Sequence, residues 1–212
     1  MHDDFLLKQK QMIALLELRG ISDTDVLQAM AQVPRHCFVA PSLRAQAYSD
    51  CALPIDCQQT ISQPYIVALM MQALILTNSS KILEVGTGCG YQAACLAQIC
   101  NQVYSIEIIQ KLHHDANILL QNLGYKNIKL KLGDGNEGWD EFAPFDAIIV
   151  TAAAKQIPHR LVEQLKVDGL MVMPIEEKNH MQKLIRIIKT NLDCSYRIEE
   201  LLNVKFVPLT SK

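Results

Sequence analysis

Three glycines at alternate positions, Gly86, Gly88 and Gly90, follow the run Ile82-Leu83-Glu84-Val85, and a second acid, Glu107, stands 21 residues after Gly86. Glycines at a strand-to-helix turn permit positive φ and let a ligand lie against the backbone. An acid about twenty residues later, closing a second strand-like run, can accept from the two hydroxyls of a ribose. The pattern points to an adenosine-containing cofactor. Its G-x-G-x-G spacing differs from the G-x-G-x-x-G that brings amides and a helix N-terminus to a pyrophosphate. Glu84, two residues before the first glycine, would repel a pyrophosphate but attract an ammonium or sulfonium. S-adenosylmethionine carries both cations and no phosphate, so the spacing favours it over NAD. In Gly133-Asp134-Gly135, Asp134 is placed to accept from an adenine amine. The plain alternative is a glycine turn without a ligand, with Glu107 a solvated strand end.

These residues need a strand–turn–helix frame, and the chain supplies one. Apolar stripes predict helices over 4–19 and 23–32, the second capped by Ser22 or Asp23 and stopped by Pro34. Residues 34–63 read as irregular, a length that in a compact domain usually marks a functional loop. A helix from Pro64 to Leu76 follows. From residue 81 strands alternate with helices: KILEV, helix 91–100, VYSIE, helix 109–123, NIKLKL, FDAIIV, helix 158–166 and GLMVMP, then strands QKLIRIIK and NVKFVPL. Such alternation specifies an α/β fold with a mostly parallel, doubly wound sheet, helices on both faces and an N-terminal helical extension. At least one partner of the last two strands should be antiparallel. The 212 residues form one domain, divided into N-terminal helices and active-site loop (1–76), cofactor-binding core (77–174) and C-terminal strands (175–212).

Composition narrows the classes. A net charge of -2 offers no basic field for nucleic acid, and no apolar run is long enough to span a membrane. The charged N-terminus lacks the apolar core of a signal peptide. Seven cysteines without a CxxC or a paired His/Cys cluster predict reduced thiols, a cytoplasmic setting and no metal site. Apolar surface residues define no patch, which favours a monomer or weak dimer.

Gln59-Thr60-Ile61-Ser62-Gln63-Pro64-Tyr65 places two hydroxyls and an amide before a helix. Alone it reads as a helix cap, with Pro64 just inside the helix. With ILEVGTGCGYQAA, VYSIE, GDGxxGW, APFDAIIVTAA, IPxxLxxQL, a terminal VKFVPL and VPRHCFV at 33–39, the chain resembles the protein-L-isoaspartate O-methyltransferase family from about Arg19 to Leu209. The resemblance implies a Rossmann-like S-adenosylmethionine-dependent methyltransferase fold. It implies methyl transfer to the free α-carboxylate of an isoaspartyl residue in a damaged protein, whose ester then closes to a succinimide. Gly86, Gly88 and Gly90 would hold the methionine portion, Glu107 the ribose, and Asp134 with Gly135 the adenine. Gln59, Thr60 and Ser62 would line the boundary between cofactor and acceptor, with Ser62 at the family's active-site serine and Thr210 closing over the site. A carboxylate is already anionic at pH 7, so the reaction needs no general base, and Ser62 acts by aiming the acceptor.

The chain departs from the family at three glycines. Two that precede QT are Asp56 and Gln58 here, and a third after strand GLMVMP is Glu176. All three positions border the acceptor pocket in the resemblance, where added bulk and negative charge would oppose a carboxylate. Two readings stay open: a methyltransferase for isoaspartyl proteins or another carboxylate acceptor, or a cofactor-binding homologue without transfer activity.

Overall fold

The computed structural model describes residues 2–178, 180–191 and 193–211. Helices α1 (His2–Leu18) and α2 (Thr24–Gln32) open the chain. Asp23 caps α2, its carboxylate accepting from Asp25 N at 3.0 Å and Val26 N at 3.1 Å. The irregular stretch is confirmed in kind. It holds short 3-10 turns at Arg35–Phe38, Pro41–Gln46 and Asp56–Gln58, plus a two-residue ladder between β1 (Leu53–Pro54) and β2 (Thr60–Ile61). Helix α3 spans Pro64–Gln72, four residues shorter than the apolar pattern suggests, and the chain turns through Ile75 at φ +50°.

The core then alternates β3 (Lys81–Val85), α4 (Tyr91–Ile99), β4 (Gln102–Glu107), α5 (Gln110–Asn122), β5 (Ile128–Leu132), β6 (Phe145–Val150), α6 (His159–Glu163), β7 (Leu165–Glu176), β8 (Gln182–Lys189) and β9 (Tyr196–Val204). The seven-stranded sheet has the order β5-β4-β3-β6-β7-β8-β9. The first five strands in that order are parallel, and β8 and β9 pair antiparallel. Central strands are near-continuous apolar runs because both faces are covered. Ile82, Val103, Ala147 and Ile149 face one core with the N-terminal helices and α4, while Leu83, Val85, Ile148 and Val150 face a second core with Leu161 and Val162 of α6.

Two boundaries differ from the sequence reading. The expected helix 158–166 stops at Glu163 because β7 begins early, with a bulge: Phe145 pairs with Leu165 and Ala147 with Leu170. The expected last strand NVKFVPL lies mostly outside the sheet. The strand is Tyr196–Val204, whose Arg197, Glu199 and Glu200 at the sheet edge hide its alternation. Residues 205–209 then leave β9 and cross to the end of β6. There Ala153 N donates to Val207 O at 2.8 Å and Leu209 N to Ala153 O at 2.7 Å.

Candidate active site

Strand order reverses between β3 and β6, and in open α/β sheets the crevice beyond such a point is where ligands bind. A cavity of about 920 Å³ opens there. One wall is the loop after β3. Gly86 has φ +96°, and a Cβ on it would stand 2.3 Å from Thr151 Oγ1, so no other residue fits without displacing that side chain. Thr151 follows β6 directly and donates to Gly86 O at 2.8 Å, locking the loop to the neighbouring strand. Glu107 closes β4. Its carboxylate accepts from Gly88 N at 2.8 Å and Ile109 N at 2.9 Å and remains in the cavity wall. Gly135 completes this side, with Val85 Cγ1 only 2.2 Å from any added Cβ. Ile108, Ile109 and Leu112 supply an apolar floor.

The rest of the wall comes from outside the parallel core. Gln59, Thr60, Ile61 and Ser62 line it together with Arg19, Tyr65 and Lys205 to Thr210. Arg19 lies over the Tyr65 ring, 3.6 Å from its centroid, and pairs with Asp50. Asp50 also accepts from Tyr65 N at 3.0 Å and Gln63 Nε2 at 2.9 Å, so one carboxylate fixes the start of α3. The Ser62 hydroxyl makes no hydrogen bond to another described residue, while its backbone carbonyl accepts from Arg35 Nη2 at 2.6 Å.

Of the residues singled out in the sequence, the structure gathers Gln59, Thr60, Ser62, Gly86, Gly88, Glu107, Gly135 and Thr210 around this one cavity. The others lie elsewhere. Gly90 caps α4 against Leu120. Glu84 is fully buried under the loop, where Ser105 Oγ donates to it at 2.5 Å and its second oxygen has no partner. Loss of water pushes its carboxyl up to about 8, a neighbouring Glu107 adding to the shift against the Ser105 hydrogen bond. It therefore holds a proton at neutral pH and does not present the anion expected to attract an ammonium or sulfonium. Asp134 caps the turn that follows it, accepting from Asn136 N at 2.9 Å.

Of the three positions where the resemblance expects glycine, two are exposed and the third is half-buried. Asp56 is exposed and pairs with Lys111 at 2.6 Å. Gln58 is exposed in the left-handed region at φ +58°. Glu176 is bonded by His180 Nδ1 at 2.8 Å. None belongs to the cavity wall, although Glu176 stands directly behind His180, which does. Sequence reasoning missed Thr151, Arg19, Arg35, Tyr91 and Gln92. Thr151 follows the strand beside the reversal, Arg35 lies in VPRHCFV, and Tyr91 and Gln92 lie in ILEVGTGCGYQAA, but no motif says what each side chain does.

A family model described as protein-L-isoaspartate(D-aspartate) O-methyltransferase matches residues 7–212. A protein-L-isoaspartate O-methyltransferase 2 from Pelobacter propionicus is 51% identical over 191 residues, covering 90% of this chain and 84% of the relative. A protein-L-isoaspartate O-methyltransferase from Parvibaculum lavamentivorans is 50% identical over 201 residues, with 94% and 90% covered. Among solved structures, a Plasmodium falciparum protein with S-adenosyl-L-homocysteine bound, described as a putative protein-L-isoaspartate O-methyltransferase, is 29% identical. It covers 96% of this chain and 99% of its own, with a TM-score of 0.85. With the fold, the loop and the cavity all in the arrangement the motifs require, the chain belongs to the protein-L-isoaspartate(D-aspartate) O-methyltransferase family.

Proposed function

We infer that this protein is an S-adenosylmethionine-dependent protein-L-isoaspartate O-methyltransferase, which methylates the free α-carboxylate of isoaspartyl residues in damaged proteins or peptides. The observation that carries this reading is that Gln59–Ser62, the glycine loop and Glu107 all line one cavity. Its volume of about 920 Å³ lies near the top of the range for small-molecule sites, roughly 300–1,000 Å³, so a nucleoside cofactor leaves room for part of a peptide.

The residues present fit the cofactor. Gln92 Nε2 is buried without a partner in a residue of the cavity wall, a polar atom suited to the amino-acid end of a ligand. Gly86 and Gly88 would hold that end, Glu107 the ribose hydroxyls, and Gly135 with Ile108 and Leu112 the adenine. Bound S-adenosylmethionine supplies an electrophilic methyl on sulfur. The acceptor carboxylate is ionised at pH 7 and needs no base, so the protein's part is placement and exclusion of water. Alignment of this kind supplies roughly 7–11 kcal/mol. The unengaged Ser62 hydroxyl donates to the acceptor carboxylate and aims its oxygen. Lys205–Thr210 form the roof. The seven free cysteines suit a reducing, cytoplasmic setting, and no helix among the described residues is long and apolar enough to cross a membrane.

The test is transfer of a radiolabelled methyl group to an isoaspartyl peptide, beside the same peptide with normal aspartate. Base-labile label on the first alone is the expected result. Cofactor binding without transfer to either would reject this reading for that acceptor. Ser62→Ala should lower kcat/KM by about 10²-fold, in the range of other single aiming donors, with cofactor affinity little changed.

A further inference from the structure

Arg35 is completely buried and has no carboxylate partner in an ion pair among the described residues. It sits in the turn Arg35–Phe38 after α2. Its Nε donates to Ala47 O at 2.8 Å and its Nη2 to Ser62 O at 2.6 Å. Its Cζ lies 4.6 Å from the centroid of the Tyr91 ring, and Nη1 has no partner. A cation withdrawn from water without a counter-charge is costly. Two carbonyls and a ring face offset part of that cost, yet a neutral donor would serve two carbonyls more cheaply.

What distinguishes the site is what it connects. Ser62 carries the hydroxyl on the acceptor wall. Tyr91 is the first residue of α4, directly after Gly90 and the glycine loop. One rigid, planar group therefore spans the two halves whose separation sets the distance between methyl donor and acceptor. Arginine suits this because its fork holds several donors in fixed geometry while its face lies on an aromatic ring. Its charge is also unbalanced close behind a wall where an anion must come to rest.

Resting on the function proposed above, we propose that Arg35 is a positioning residue for the acceptor carboxylate, acting through the Ser62 backbone and bracing it against the start of α4. A lysine keeps the charge but cannot reach Ala47, Ser62 and the Tyr91 face together, because its three donors radiate from one nitrogen in place of a planar fork.

The test uses Arg35→Lys and Arg35→Met in the full chain, each alone and combined with Ser62→Ala. Cofactor Kd is measured beside kcat and KM for an isoaspartyl peptide. Arg35→Lys should bind cofactor within about threefold of the parent yet lose about 10- to 100-fold in kcat/KM, the scale of a small misplacement of reacting groups. In the Ser62→Ala background the same change should cost at most about threefold, because the two residues act on one step. Penalties that multiply in the double variant would overturn the proposal, as would cofactor affinity and turnover falling in equal proportion. Failure of both variants to fold gives Arg35 a structural role only and also overturns it. An unmodified protein that binds cofactor without methylating the peptide rejects the function itself, a result distinct from any of these.

Discussion

Glu84 and Glu107 lie on adjacent strands and show how environment divides one residue type between two tasks. Glu107 accepts from two backbone amides, Gly88 N and Ile109 N, and stays in the cavity wall. Glu84 is buried with one oxygen unpartnered, and desolvation lifts its carboxyl to about 8. A raised folded-state pKa means that the native protein holds a proton the unfolded chain has already released. Glu84's contribution to stability is thus fully present below the unfolded value of 4.5 and is lost as pH rises toward 8. Between those limits one such group lowers unfolding free energy by about 1.4 kcal/mol per pH unit. Denaturant midpoints of the ligand-free protein should fall from pH 5 to pH 8, and Glu84→Gln should flatten that slope; equal slopes in the two proteins would show Glu84 already ionised. Both acids were legible in the sequence as a pair. Which of them would meet the cavity was not, because both lie on one face of the sheet: Glu84 sits inside β3 opposite Ser105, whereas Glu107 is the last residue of β4, where the cavity opens.

The Asp56–Gln58 turn holds two of the three positions at which the resemblance expects glycine. Cys57 and Gln58 both adopt φ +58°, so a glycine at 58 has a backbone reason, whereas position 56 needs none. The side chains of Asp56 and Gln58 are exposed, and Asp56 reaches Lys111 on α5. An exposed pair of this kind contributes little to stability, and relief of a left-handed side chain by glycine offsets its loss. Asp56→Gly combined with Gln58→Gly should therefore shift unfolding free energy by no more than about 1 kcal/mol. Isoaspartyl kcat/KM should stay within about twofold, since neither side chain reaches the cavity and independent sites perturb little. A rise of tenfold or more in a steady-state assay would show that the turn does obstruct the acceptor. Sequence reasoning located this turn through its missing glycines but could not orient it, because the answer lies 55 residues away at Lys111. The same limit applied to β9. Its register is set by pairing with β8, and the proline-containing segment after it was mistaken for the strand itself.

Across the whole molecule, alternation of strands and helices made the parallel core readable, and the cavity follows from where its strand order reverses. The far wall was readable only as motifs, since nothing local says that QTIS and VPL come to face the same space. Residues 205–209 are tied to Ala153 by two backbone hydrogen bonds after β9 has ended at Val204. Removing Lys205 onward should leave the sheet intact by circular dichroism and cofactor binding measurable. Methyl transfer to peptide should fall by at least about 100-fold, as alignment and water exclusion are lost together; near-normal transfer would deny that segment its place as a roof. The cavity wall draws its donor side from residues 85–152 and its acceptor side chiefly from residues 19–67 and 180–210. Donor chemistry is thus written in the middle of the chain and acceptor choice at its flanks. A chimera that exchanges both flanks with a relative should inherit the relative's peptide preference while keeping this chain's cofactor affinity, so recognition of damage can drift in evolution without disturbing the source of the methyl group.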